Sequence, residues 1–421
     1  MIGYDVIVIG GGHAGCEAAL SSARNRARTL MVSVNMDSIA SMPFGGTIGG
    51  PGRGQLVKEV DVLGGEISKN ADRNFLNIRG VKDISGPSER VPKAVVDRRR
   101  YFLSMKEVLE KQEFLDLRQA LATEVKKNKK GFKLITSDEA VYLCSSLVIC
   151  GGTFFRGKII WGENLIEAGR HGEISSKRLP LSLESLSFRF GRIKKSTAPL
   201  IDRKTVDMNK LKKEPLDDCP EMFSNSNSYD GRVQVNNYIA YAGKKFITYI
   251  LKNIKTEKDH EREKCPERIK GGSSIERRVL KFGKKGEYMI FIQPTGESTN
   301  ELYMQGLETM LPEEIQEEMI RKIKGLEEVK ITRPGYAVEY DYLRPSQIKN
   351  NLESRAVKGI FFAGKINGTT GYEEDAAQGI IAGINAARNA KDIESIAGGC
   401  NGGYISRLLS NIVLGRMNLQ Q

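Results

Sequence analysis

Gly10, Gly12 and Gly15 fall in G-x-G-x-x-G order within the run Gly10-Gly11-Gly12-His13-Ala14-Gly15. That spacing suits a backbone wrapped around a pyrophosphate. The first glycine permits a tight turn, the second lets the chain approach the phosphates, and the third lets a helix pack on the preceding strand. The helix that follows offers unpaired N–H groups and a partial positive charge to the same anion. Asn35 comes about twenty residues past the last glycine, where a carboxylate usually meets a ribose. Asparagine can still accept from a sugar hydroxyl. A second glycine-rich run, Phe44 to Gly54, implies unusual torsions or backbone lying against a ligand; a flavin ring is a natural candidate. Candidates for acid–base work are weaker, because Glu373 and Asp341 stand out by position alone, at a helix start and a turn.

The elements needed to position these residues can be read around them. Val6 to Ile9 has the length and β-branching of a buried parallel strand. Cys16 to Ala23 reads as an Ala-rich helix and Thr29 to Val34 as a second strand. Leu56 to Ala71 has helical spacing at Leu56, Val60 and Leu63. Asp97 is a good N-cap for a helix to about Lys111 with Phe102, Met105 and Leu109 on its apolar face. Strands are expected over 114–118, 123–127, 132–136, 140–143 and 146–150, with a hairpin tip at Lys126 to Lys130. The segment 200–290 changes character: it is Lys-rich and weakly periodic, with a polar Ser224–Ser228 run and a charge cluster at Lys255 to Lys264. Glu314 to Ile323 predicts a helix. Gly359 to Gly364 is another buried strand, and Gly368 to Glu374 turns into a helix Asp375–Ala390 with small residues over much of its surface. Its N-terminus is expected to face the electron-rich edge of a ring. Gly398 to Gly403 reads as a hinge before a short helix, Tyr404–Leu414.

The 421 residues suffice for two or three domains, and 40% apolar with 28% charged residues is ordinary for a soluble protein. No run has the length of a membrane span, and the N-terminus lacks the pattern of a signal peptide. Six cysteines without C-x-x-C spacing read as reduced thiols in the cytoplasm, and with three histidines they suggest no metal site. A net charge of +13 fits a polyanionic partner, RNA rather than membrane, or simply a Lys-rich solvated surface.

The stretches Asp5–Glu17, Ile48–Gly65, Gly151–Gly157, Ala168–Gly172, Arg333–Tyr342 and Ala363–Asn385 together resemble the GidA/MnmG family of flavoproteins that modify the wobble uridine of transfer RNA. The last stretch, AGKINGTTGYEEDAAQGIIAGIN, is very specific, and the resemblance spans about residues 1 to 390. It implies an α/β fold, an FAD-binding Rossmann-like body of the two-dinucleotide type with an inserted smaller α/β lobe. Residues 1–199 and 291–396 would form the FAD-binding domain, 200–290 the inserted NADH or substrate lobe, and 397–421 a short tail. FAD would contact Gly10 to Gly15, Asn35, Leu121, Ser176, Gly364, Lys365, Thr370 and Gly371, and NADH would approach about Arg268 to Phe282. The resemblance further implies NADH as reductant, methylenetetrahydrofolate as one-carbon source, tRNA as substrate, an MnmE-like GTPase as partner and a homodimer. The TrmFO methyltransferases have about this length, but their signatures fit less well than Gly368 to Gly379 fits GidA.

The sequence also departs from the family pattern. The cysteine of the glycine-rich loop is replaced by Phe44 and that of a second motif by Gly272; neither replacement can act as a nucleophile. Cys265 is the nearest alternative thiol. Leu200 stands where the family has Arg, Ser85 and Val95 replace polar residues, and the family's C-terminal helical domain is not expected in this chain. Three readings follow: a tRNA-modifying flavoenzyme with altered chemistry, an NADH-linked flavin oxidoreductase with another substrate, and a non-catalytic flavin-bound RNA-binding scaffold.

Overall fold

The computed structural model describes residues 2–82, 90–254, 274–283, 286–396 and 402–416. Cys265, Gly272, Ser85, the Lys255–Lys264 cluster and the start of the expected tail hinge lie outside them.

The body is built on a seven-stranded sheet. Strand Ile2–Ile9 lies between Thr29–Ser33 and Val141–Ile149, parallel to both, and Leu115–Gln119 extends the parallel set beyond Thr29–Ser33. The hairpin Ala122–Asn128 and Gly131–Thr136 joins it antiparallel, and Ile360–Phe362 adds a further parallel strand. The two strands expected over 140–143 and 146–150 are one, Val141–Ile149. Its first half pairs with the hairpin and its second half with Ile360–Phe362. The polar Ser145-Ser146 step between two apolar runs suggests a break, but the Ser146 hydroxyl meets the Asn389 amide at 2.8 Å and the strand continues.

Helix His13–Arg24 packs on helix Tyr372–Ala390. The small residues of the later helix are explained by this contact. A Cβ on Gly379 would lie 2.2 Å from the Ala14 carbonyl oxygen, and one on Gly383 2.2 Å from that of Ala18. The single helix expected over 56–71 is two, Arg53–Val62 and Ile67–Asn74. Gly64, at φ +86°, breaks the run in a conformation other residues resist. The buried Glu17 carboxylate accepts from the Glu66 and Ile67 N–H groups at 2.8 and 2.7 Å, capping the second helix. Helix Arg98–Lys111 starts after Asp97 as expected, but Tyr101 rather than Phe102 joins Met105 and Leu109 in the core.

A separate core gathers Ala198 to Val329 under a six-stranded antiparallel sheet. This sheet extends past position 290, because Glu301–Gln305 lies between Tyr288–Pro294 and Leu200–Asp202, and Ile331–Arg333 completes the edge. Among the described residues no helix is long and apolar enough to cross a membrane.

Candidate functional site

A cavity opens where Ile2–Ile9 ends, at the carboxyl ends of the parallel strands, where open α/β sheets place ligands. Gly10 to Ala14, Asn35, Leu121, Ser176 and Lys365 all line it.

The glycine end is shaped by backbone. Gly10 turns at φ +117°, with room for no Cβ beside the Cys150 carbonyl oxygen, 2.5 Å away. Gly15 lies behind the wall, where a Cβ would fall 1.8 Å from the Gly10 oxygen. Gly12 is different, because a Cβ there would meet nothing within 4 Å. The space beside Gly12, the middle glycine of the motif, is thus open. His13 Nε2 and Ser176 Oγ are buried without a hydrogen-bond partner; buried polar atoms of this kind call for a ligand or water. Asn35 reaches the lining, but its Oδ1 already accepts from the Asp37 N–H at 2.8 Å.

The other end is shaped by side chains. His13 is stacked between Tyr372, 4.7 Å away, and Tyr101, 5.6 Å away. Burial, with Lys365 and Arg170 nearby, lowers His13 to about 3, so it is neutral. The Tyr372 hydroxyl accepts the Phe44 N–H at 2.8 Å. Lys365 pairs with Asp375, whose carboxyl burial nonetheless pushes upward. Gly364 lies just behind, its N–H donating to Gln378 Oε1 at 3.1 Å.

Thr370 and Gly371 lie at the start of the late helix and outside the cavity wall; Tyr372 and Asp375 line it instead. The helix N-terminus expected to face a ring carries three buried acids. Glu373 accepts the Gly49 N–H at 2.8 Å and, with Glu374, faces Arg53 at 3.8 and 3.1 Å. Glu373 is thus a structural cap. Asp341 is held by Arg156 and Arg192 away from the cavity. The run Gly45–Gly54, expected to bracket a ring, lies behind this helix turn, and Ser41, Pro43 and Phe44 form the wall. Arg170, Phe154 and Asp375 are lining residues that sequence reasoning did not single out, although the stretches containing all three carried the resemblance.

The family model described as glucose inhibited division protein A matches residues 5–394. The chain is 40% identical over 418 residues to the tRNA uridine 5-carboxymethylaminomethyl modification enzyme MnmG of Syntrophomonas wolfei, covering 97% of this chain and 66% of that protein. It is 41% identical over 416 residues to the protein of the same name from Heliobacterium modesticaldum, covering 97% and 64%. The chain therefore spans about two thirds or slightly less of these relatives' length. Among solved structures, Aquifex aeolicus GidA superposes with a TM-score of 0.91 in one crystal form, at 37% identity, over 97% of this chain and 70% of that one. A second crystal form gives 0.90 at 38% identity, covering 97% and 67%.

Proposed function

The chain belongs to the glucose inhibited division protein A (GidA/MnmG) family, and from that premise we propose that it binds FAD, accepts electrons from NADH and acts on the wobble uridine of tRNA in the cytoplasm. The observation that carries this is the vacant Cβ direction at Gly12, next to the unpartnered His13 Nε2 and Ser176 Oγ. Together they leave a phosphate-approaching backbone and two polar atoms facing one cavity. Gly10 to Gly15, Asn35, Leu121, Ser176, Gly364, Lys365, Thr370 and Gly371 are the proposed cofactor residues, those outside the wall acting by packing.

A flavin bound there supplies two-electron transfer. The chain's own part is to hold it by backbone N–H groups at the start of His13–Arg24, to close the ring end with Phe44, Tyr372 and Phe154, and to set charge with Lys365, Asp375 and Arg170. Methylenetetrahydrofolate as one-carbon donor, an MnmE-like GTPase and a homodimer are further parts of this proposal, drawn from the resemblance. Phe44 favours a second reading, an NADH-linked flavin oxidoreductase with another acceptor, because a phenyl ring cannot form the covalent adduct a thiolate forms.

The test is purification with added FAD, followed by measurement of retained flavin. A colourless protein that stays colourless overturns the proposal. Anaerobic NADH should bleach bound flavin; flavin that stays oxidised favours a non-catalytic scaffold. Binding of tRNA that weakens steeply with salt supports the tRNA reading, and no binding at low salt leaves the oxidoreductase.

A further inference from the structure

Lys195 lies on strand Phe190–Ser196, with its amine 4.4 Å from the centroid of the Phe44 ring and hydrogen-bonded to the Thr370 carbonyl. Phe44 forms part of the cavity wall, and Lys365 approaches the same ring at 6.0 Å. The two amines differ in their partners. Lys365 is paired with Asp375, and Arg53 with Glu373 and Glu374, which engages all three acids of the late helix's first turn. Among the described residues, Lys195 has no carboxylate at ion-pair distance; its contacts are a carbonyl and an aromatic face.

We infer that Lys195 is a covalent docking point for a small aldehyde, captured as an imine beside Phe44. The step needs no redox partner. The amine lone pair attacks the carbonyl carbon, a C–N bond forms as the C=O π bond breaks, and a proton passes from nitrogen to oxygen. The carbinolamine then loses water as the C=N bond forms. The inference rests on reading the cavity as a carbon-transfer site, since Phe44 stands where the resemblance places a thiol and Lys195 is the nucleophile-bearing side chain against it.

The surroundings favour a reactive amine. Burial, with the positive charges of Lys365 and Arg53, draws Lys195 down to about 7, against the opposing pull of Glu374 and Asp375. A lysine desolvated next to another cation is a known route to an amine nucleophile. Near pH 7 such a group is about half neutral, whereas an ordinary lysine is neutral in about one molecule in 10³.

The full chain is incubated with glyoxylate and cyanoborohydride across pH 6 to 10, and adducts are mapped by peptide mass spectrometry, with flavin content measured on the same samples. The expected result is an adduct at Lys195 formed about tenfold faster than at other lysines near neutral pH, half-maximal near pH 7. Lys195→Arg keeps a long basic side chain without a nucleophilic amine and should remove this adduct while retaining flavin. Labelling no faster than at surface lysines, or rising only toward pH 10, overturns the inference. Should Lys195→Arg fail to fold, the pH profile of the unaltered protein decides alone. A protein that labels at Lys195 yet takes up no FAD would refute the flavin reading and leave the reactive amine standing.

Discussion

The two ends of the cavity are built from different materials. The glycine end is main chain: Gly10, Gly12 and Gly15 shape it, and recognition there depends on where a Cβ is absent. The Phe44 end is side chains, with rings from Phe44, Tyr372 and His13 and charges from Lys365, Asp375 and Arg170. A backbone cradle tolerates few substitutions because atoms would collide, whereas a wall of side chains can be rebuilt one residue at a time. The loss of nucleophile that the resemblance suggests at Phe44 falls outside the glycine end. On the proposed reading, the difference teaches that cofactor holding and acceptor chemistry can be separated within one pocket.

The harshest way to break this comparison is Gly15→Ala. Its Cβ would sit 1.8 Å from the Gly10 oxygen, so the first strand and helix must separate. We expect a loss of about 3 kcal/mol or more, read as a large drop in Tm with or without FAD. Gly12→Val sharpens the contrast, because its side chain enters open space and should leave the apo protein within about 0.5 kcal/mol of the parent. Its FAD affinity should fall about 10²-fold. Full flavin retention in this variant would show that the phosphates lie elsewhere.

At the side-chain end, Arg53→Ala leaves Glu373 and Glu374 buried without their cation. The expected cost is about 2 kcal/mol at neutral pH, below that of a fully buried pair because the guanidinium is 43% exposed. Burial raises Glu373, so the cost should shrink as pH falls and the acid takes up its proton. Denaturant titrations at pH 7 and pH 5 check this, and equal losses at both would contradict it.

His13→Phe is a gentler test. The folded-state value is lowered to about 3, so between pH 3 and 6.5 the unfolded chain holds a proton that the folded one does not. Stability from this group is present above pH 6.5 and drains away as pH falls. The wild type should lose about 1–2 kcal/mol relative to His13→Phe between pH 7 and pH 5. Glu17, raised to about 7, contributes with the opposite sign, stability falling as pH rises from 4.5 to 7, but it is common to both proteins and cancels in the difference.

What could be read in advance follows the same division. The strand, glycine turn and helix at 2–24 were legible because their signals are local: a β-branched run, fixed glycine spacing, then small helix formers. Phe44 was legible as a departure but its neighbours were not, since Lys195 and Tyr372 reach it from about 150 and 330 residues away, and spacing carries no information over such distances. The break at Gly64 was hidden by Leu56, Val60 and Leu63, which keep helical spacing up to the residue before it. Asp375 was quoted within a motif, yet nothing local showed that it would pair with Lys365 across the turn. The second core's extent was obscured for a related reason, since Glu301–Gln305 enters the sheet between strands a hundred residues apart in the chain.

The smallest expected effect lies where the two materials meet, at Asn35. It lines the cavity after the second strand, in the place proposed to face a ribose, and its Oδ1 already accepts the Asp37 N–H. Asn35→Asp keeps an oxygen for that cap and adds a second acceptor in place of the Nδ2 donor. A ribose bound there gains a charge-assisted hydrogen bond, while the nearby phosphates meet an added negative charge that screening only partly removes. The first effect acts at contact and the second over a longer, solvated path, so affinity should rise, by about threefold, equivalent to about 0.6 kcal/mol. Isothermal titration of FAD into the two apo proteins measures it. Unchanged affinity would place the sugar away from Asn35, and a tenfold loss would mean that its donor, not its acceptor, meets the ribose.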